Sequence, residues 1–170
     1  PGSRMQQFEA TEAQDLEGTR PSQLRQWPVQ LHLVPPTAPY FQNADVLLTA
    51  DCVGYALGDF HKDHLAGKSL AIACPKLDDP ERNVTHLASL LKGAGIKSIT
   101  ILRMEVPCCG GLEMMTEMAC KMAGVSIPVT SEIVEIGPAF MGRGRPPVSG
   151  GCPSTIPQMP PQMPKNPGGG

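Results

Sequence analysis

Short, nearly unbroken apolar runs punctuate the middle of this chain at Asp45–Ala50, Ser69–Ala73 and Ser98–Met104. Runs of that length suit strands buried on both faces of a parallel sheet. Ile127 to Ile136 supplies a last strand, and Trp27, Val29, Leu31 and Leu33 alternate with Gln30 and His32 in the period of a half-buried one. Between the second and third runs the period changes. Asp79-Pro80 offers an N-cap followed by Pro at the first helical position, Val84, Leu87, Ala88 and Leu91 then line one face, and Gly93 or Gly95 stops the helix. Leu112, Met115, Ala119 and Met122 make a second helical stripe, closed by Gly124. Strand and helix in alternation predict an α/β fold: a small three-layer, mostly parallel sheet of Rossmann-like or flavodoxin-like topology.

The flanks read differently. Residues 1–22 are polar and acidic with Gly, Pro and Ser, which suits a linker or arm. From residue 138 the chain runs through Gly142-Arg-Gly-Arg-Pro-Pro-Val-Ser-Gly-Gly and Pro-Gln-Met-Pro-Pro-Gln-Met-Pro to Gly168-Gly-Gly. Such a stretch buries too little apolar surface to offset its ordering entropy, so 138–170 is expected to be a disordered tail. The folded, cysteine-bearing unit is then 23–137.

Charge narrows the function. A net charge of -2, 4% aromatics and no Lys/Arg cluster argue against nucleic-acid binding. No apolar run approaches the ~20 residues that span a bilayer, and the start, Pro1-Gly-Ser-Arg, carries no signal-peptide pattern. The chain reads as cytoplasmic and as a piece of a longer protein. Six cysteines without a small secreted scaffold point to metal or redox chemistry before disulfides.

Four of those cysteines share a position. Cys52 closes Val46-Leu-Leu-Thr-Ala-Asp-Cys52, Cys74 closes Leu70-Ala-Ile-Ala-Cys74, and Cys108-Cys109 follow the third run in Met104-Glu-Val-Pro-Cys-Cys-Gly-Gly111. If the runs are parallel strands of one sheet, all four thiols emerge at its carboxyl edge, where open α/β folds place ligands. Soft thiolates suit zinc, copper(I) or iron-sulfur clusters. Pro107 before the pair and Gly110-Gly111 after it permit an irregular loop, whose amides can donate to cluster sulfur. A helix N-terminus there favours thiolate or cluster charge.

Other candidates have plainer explanations. Cys120 lies eleven residues past Cys109, roughly 15 Å along a helix, and reads as a packing residue. Cys152 falls in the tail and reads as a free thiol. His61 and His64 fit a polar helix surface as well as a metal site. Met114, Met115, Met118 and Met122 read mostly as core filler. Gly54-x-x-x-Gly58 lacks the full dinucleotide fingerprint, and there is no phosphate-loop Lys-Ser/Thr. Asp78-Asp79 are adjacent carboxylates, although capping accounts for Asp79.

Longer strings add a resemblance. Leu24-Arg-Gln-Trp-Pro-Val-Gln-Leu-His-Leu, Ala50-Asp-Cys-Val, Gly58-Asp-Phe-His, Ala73-Cys-Pro-Lys-Leu-Asp-Asp and Arg103-Met-Glu-Val-Pro-Cys-Cys-Gly-Gly-Leu resemble, in order, the carboxyl-terminal half of a family of uncharacterised iron-sulfur cluster-binding, ferredoxin-type proteins of anaerobic prokaryotes. The likeness covers about Leu24 to Gly137. Members of that family carry an upstream two-cluster ferredoxin module joined through a Cys-Gly-Cys-Pro-Gly-Ser segment, and this chain begins Pro1-Gly-Ser.

The resemblance implies an electron-transfer domain holding a [4Fe-4S] cluster through Cys52, Cys74, Cys108 and Cys109, with the upstream ferredoxin module and redox proteins as partners. Homo-oligomerisation is compatible with it. Two alternatives stand beside this reading. One is a thiol-based redox enzyme using Cys108 or Cys109 as nucleophile. The other is a cluster-free domain that docks the ferredoxin module.

Overall fold

The computed structural model describes residues 5–7, 18, 20–136 and 148–151. Its centre is a five-stranded sheet made of β1 (Asp45–Ala50), β2 (Ser69–Ala73), β3 (Ser98–Met104), β4 (Pro128–Val134) and β5 (Val148–Gly151), in the order β2-β1-β3-β4-β5. The first four are parallel, with Thr49 of β1 paired to Ile72 on one side and Leu102 on the other. Strand β5 runs antiparallel along β4. That strand departs from the sequence expectation, which ended the folded unit at residue 137. Its backbone pairing needs few apolar side chains, so composition did not signal it. The rest of the expected tail, Cys152 included, lies outside the described residues.

Helix α1 (Pro80–Ala94) forms as its sequence dictates. The Asp79 side chain accepts from the Glu81 and Arg82 amides, Pro80 enters at the first turn, and Gly95 ends the helix in the left-handed conformation at φ 58°. Helix α2 (Gly111–Ala123) ends likewise at Gly124, φ 67°. The two helices pack on each other. Neighbouring residues of β4 show that the sheet is covered on both faces: the Ser131 hydroxyl donates to Glu113 on α2, while Glu132 meets His64 of the helical turn Phe60–Leu65. Successive strand residues point to opposite faces, so the layers run helix, sheet, crossover segment. This is the expected three-layer arrangement. The core between them includes Leu47, Leu48, Ile99, Ile101, Leu102, Leu65, Leu87, Leu90 and Leu112, all at most 1% exposed.

The first segment departs from its period-two pattern. Only Gln26–Trp27 form a strand, Gln30 makes an isolated parallel bridge to Ile72, and Leu31–Leu33 turn into a short 3-10 helix. Pro28 has no N–H to offer a ladder, and the proline pair Pro35-Pro36 follows closely. The segment instead covers the outer edge of β2: the Ile72 amide donates to the Val29 carbonyl, and the buried Gln26 amide group donates to the Leu70 carbonyl. An open edge is thereby closed.

Candidate functional site at the carboxyl edge of the sheet

Strand order determines which loops meet. The chain places β2 beside β1, then crosses to the other flank of β1 to lay down β3. The carboxyl ends of β1 and β3 therefore bound a topological switch point, the crevice in which doubly wound sheets bind ligands. Cys52 stands two residues beyond β1, Cys74 one residue beyond β2, and Cys108 and Cys109 in the 3-10 turn Pro107–Gly110 beyond β3. Three adjacent strand ends thus each carry a free thiol, and the pair flanks the switch point opposite Cys52.

Each thiol is held differently. Cys52 begins the helical turn Val53–Ala56 and is exposed. Cys74 is half-buried in a tight turn: its amide donates to Asp78 Oδ2 at 2.8 Å, and its carbonyl accepts from the Leu77 and Asp78 amides. Cys108 is exposed, whereas Cys109 is 4% exposed, with its amide on the Val106 carbonyl. Burial pushes the Cys109 thiol up to about 11, a backbone hydrogen bond from Met104 works against that rise, and the neighbouring Cys52 and Cys108 add to it. The sulfur therefore lies back over the end of β3, close enough to feel both Cys52 and Cys108. At neutral pH it is a thiol.

The loops are locked by close contact. A Cβ at Gly111 would stand 2.7 Å from Pro75 Cβ, so the loop after β2 and the start of α2 approach to a distance only glycine allows. No side chain caps α2 at Gly110; the 3-10 turn runs straight into the helix, and the Gly111 amide donates to the Cys108 and Cys109 carbonyls. Arg103 Nε donates to Glu113 Oε1 at 2.9 Å and ties β3 to that same first turn. Burial raises the Glu113 carboxyl, but hydrogen bonds from Ser131 and Arg103 and the Arg103 charge overcome it and leave it lowered.

A polar cluster that sequence reasoning missed lies on the β1–β2 side. Asp51 is held above the usual carboxylate range by burial and by Asp78, with Gln30 and His32 acting the other way. Asp51 Oδ1 and Gln30 Oε1 are buried and have no hydrogen-bond partner. Asp78 Oδ2 also accepts from Asn83 Nδ2 at 3.1 Å, and a cavity of about 210 Å³ opens among His32, Asp78, Asp79, Arg82 and Asn83. The position of Asp51, directly before a strand-end cysteine, was the signal available. His32 and Gln30 gave none, because the segment that carries them read as an ordinary strand.

Several sequence candidates have structural roles. His61 Nδ1 accepts from the Gln23 amide, and His64 Nδ1 lies 3.1 Å from Glu132 Oε2. Cys120 is 1% exposed and disulfide-bonded, so it is no free thiol. Gly54 and Gly58 have open space where a Cβ would stand, so nothing there requires glycine. Of the methionines on α2 only Met115 is core; Met114, Met118 and Met122 are 66%, 55% and 51% exposed, which corrects their reading as filler. They fall at i, i+4 and i+8, one stripe opposite the buried face of Leu112, Met115 and Ala119.

The donors suit soft-metal chemistry, and their placement sets a limit. Among the described residues no three of His, Cys, Asp and Glu are placed to hold one metal ion. A tetrahedral zinc would need its thiolates converging at ~2.3 Å from a common point. A cuboidal cluster keeps its ligand sulfurs farther apart, and four free thiols on three adjacent strand ends are the donor type it uses. No described helix is long and apolar enough to cross a membrane.

A doubly wound α/β sheet with this strand order is a Rossmann-type domain. The comparisons agree: residues 38–161 match the Rossmann-like domain family, and the chain belongs to it. It is also similar to an uncharacterized protein of Archaeoglobus fulgidus, 31% identical over 117 residues that make up 69% of this chain and 82% of that protein. No solved structure matches.

The buried thiol gives a direct test. Cys109 is expected to resist iodoacetamide at neutral pH and to react only as pH climbs toward about 11, because alkylation needs the thiolate. Peptide mass spectrometry after labelling across a pH series reads this. Rapid labelling of Cys109 at pH 7 would contradict the burial described.

Proposed function

We propose that the carboxyl edge of this Rossmann-like domain binds an iron-sulfur cluster, of the [4Fe-4S] type, through donors drawn from Cys52, Cys74, Cys108 and Cys109, and that the domain carries electrons. The observation that carries this reading is the set of free thiols on three adjacent strand ends around the switch point. Bound there, a cluster would supply one-electron redox chemistry. The chain's own part is to furnish thiolates and to fix the loops through the Gly111–Pro75 contact. Because the Cys109 thiol is raised, any ligation through it must release a proton, so uptake would strengthen with pH.

At Cys109 the thiol-enzyme alternative is less well supported. A catalytic nucleophile is favoured by a depressed pKa, and burial moves Cys109 the other way. The partners proposed are an upstream ferredoxin module and redox proteins reaching the same edge. Anaerobic reconstitution with ferrous iron and sulfide, followed by desalting, is expected to leave iron on the wild-type chain and almost none on Cys52→Ser or Cys108→Ser. Both residues are exposed, so the fold should survive, which circular dichroism checks. Equal iron on wild type and both variants would overturn the ligand assignment.

A further inference from the structure

At the edge opposite the cysteines, where the parallel strands begin, a cavity of about 290 Å³ opens among Arg25, Gln42, Asn43, Asp45, Ser69 and Lys97. Asp45 and Ser69 are the first residues of β1 and β2, and Lys97 directly precedes β3. Backbone pairing sets the walls. The Asn43 amide donates to the Ala94 carbonyl and the Lys97 amide to the Ala44 carbonyl, both at 2.9 Å, which fastens the entry to β1 against the turn after α1. Across the cavity Arg25 is followed by Gln26, fully buried and bonded through its side-chain amide to the Leu70 carbonyl. Both cationic residues are therefore anchored at the backbone before a ligand arrives, which lowers the ordering cost of binding one.

The polar groups of the walls divide by use. Ser69 Oγ donates to the Tyr40 carbonyl, Gln42 Nε2 donates to the Gly93 carbonyl at 3.3 Å, and Asp45 Oδ1 accepts from Ser98 Oγ at 2.6 Å. Neither Arg25 nor Lys97 makes an ion pair with any described residue. Two unpaired cations against one carboxylate make this cavity positive on a chain whose net charge is -2. We propose that the cavity binds a small, polar phosphomonoester through Arg25 and Lys97, at a site separate from the cysteine edge. Such an ester carries about -1.5 to -2 charge at neutral pH and three strong acceptor oxygens, which matches two cations better than a singly charged carboxylate does. Arg offers a planar fork of donors and Lys a point charge, and both recognise phosphate. The volume lies just under the ~300–1,000 Å³ of small-molecule sites, so it suits a compact ester rather than a large cofactor. The carboxamides of Gln42 and Asn43 in the same wall suit a hydroxylated body rather than an apolar one.

Isothermal titration calorimetry of the full chain tests this, at low salt so that screening does not mask the charges, with glycerol phosphate, inorganic phosphate and acetate as probes. The expected result is saturable binding of glycerol phosphate, weaker binding of inorganic phosphate and none of acetate. Arg25→Gln and Lys97→Gln are each expected to weaken glycerol phosphate about tenfold or more, since each removes a charge-assisted hydrogen bond. Their thermal melts should match the wild type, because neither side chain is paired within the described fold. Inorganic phosphate binding as tightly as the ester would overturn the ester and leave a site for free phosphate; acetate binding as tightly would overturn phosphate as the ligand class. No binding of any probe overturns the site altogether, and a folded variant that binds as the wild type does removes that residue from it.

Discussion

Leu112→Ala is expected to cost ~2–5 kcal/mol of folding stability, a large share of the ~5–15 kcal/mol that holds a domain of this size. Leu112 has no exposed surface and sits in the first turn of α2, directly after the cysteine loop. Truncation removes its transfer free energy and leaves a cavity under the loop that rigid neighbours, Gly111 against Pro75 among them, cannot collapse to fill. Urea denaturation followed by circular dichroism measures the loss. A cost below ~1 kcal/mol would show that the loop floats on the core rather than being anchored in it.

The second large effect separates two adjacent glycines. At Gly111 an added Cβ meets Pro75 Cβ at 2.7 Å and Cγ at 3.2 Å, and a proline ring has no rotamer to retreat into. Overpacking costs ~1–3 kcal/mol, from which alanine's helix preference over glycine returns ~0.5–1 kcal/mol. Gly111→Ala should therefore destabilise, and it should pry the Cys108-Cys109 turn away from the loop that holds Cys74. At Gly110 nothing lies within 4 Å of the place an alanine methyl would take, and its φ of -60° is helical. Gly110→Ala should be neutral or stabilise by up to ~1 kcal/mol. The melting temperature should fall for Gly111→Ala and hold or rise for Gly110→Ala; a Gly111→Ala melt that does not fall would show that the Pro75 contact does not hold the two loops together.

The sheet was legible because its buried parallel strands left near-continuous apolar runs, and three of them lead into cysteines. Both helices were legible from their stripes and stops, down to the Asp79 cap. Where tertiary packing overrode pattern, the sequence misled. Trp27 to Leu33 alternate like a strand, yet Pro28 breaks the ladder and the segment seals the edge of β2. Met122 continues the α2 stripe on paper and faces solvent in the structure, because the 3.6-residue period drifts and the buried face is already filled by Leu112, Met115 and Ala119.

At the site, the four thiols were foreseeable from the ends of the apolar runs, and their division into outward and inward pairs was not. Burial of Cys109 depends on how the 3-10 turn folds back over β3, which no spacing encodes. The grouping of Asp51, Gln30, His32 and Asp78 is a product of topology: residues distant in sequence meet because the first segment lies along β2. Strand β5 depends on pairing with β4, and its glycines read only as breakers.

The central claim is that this edge holds an iron-sulfur cluster, and anaerobic electronic spectroscopy of the reconstituted chain tests it most directly. The expected result is a broad visible sulfur-to-iron absorption that bleaches on reduction with dithionite, with a paramagnetic signal appearing in the reduced sample at cryogenic temperature. A folded, fully thiol-reduced protein with no visible absorption and no such signal would contradict it.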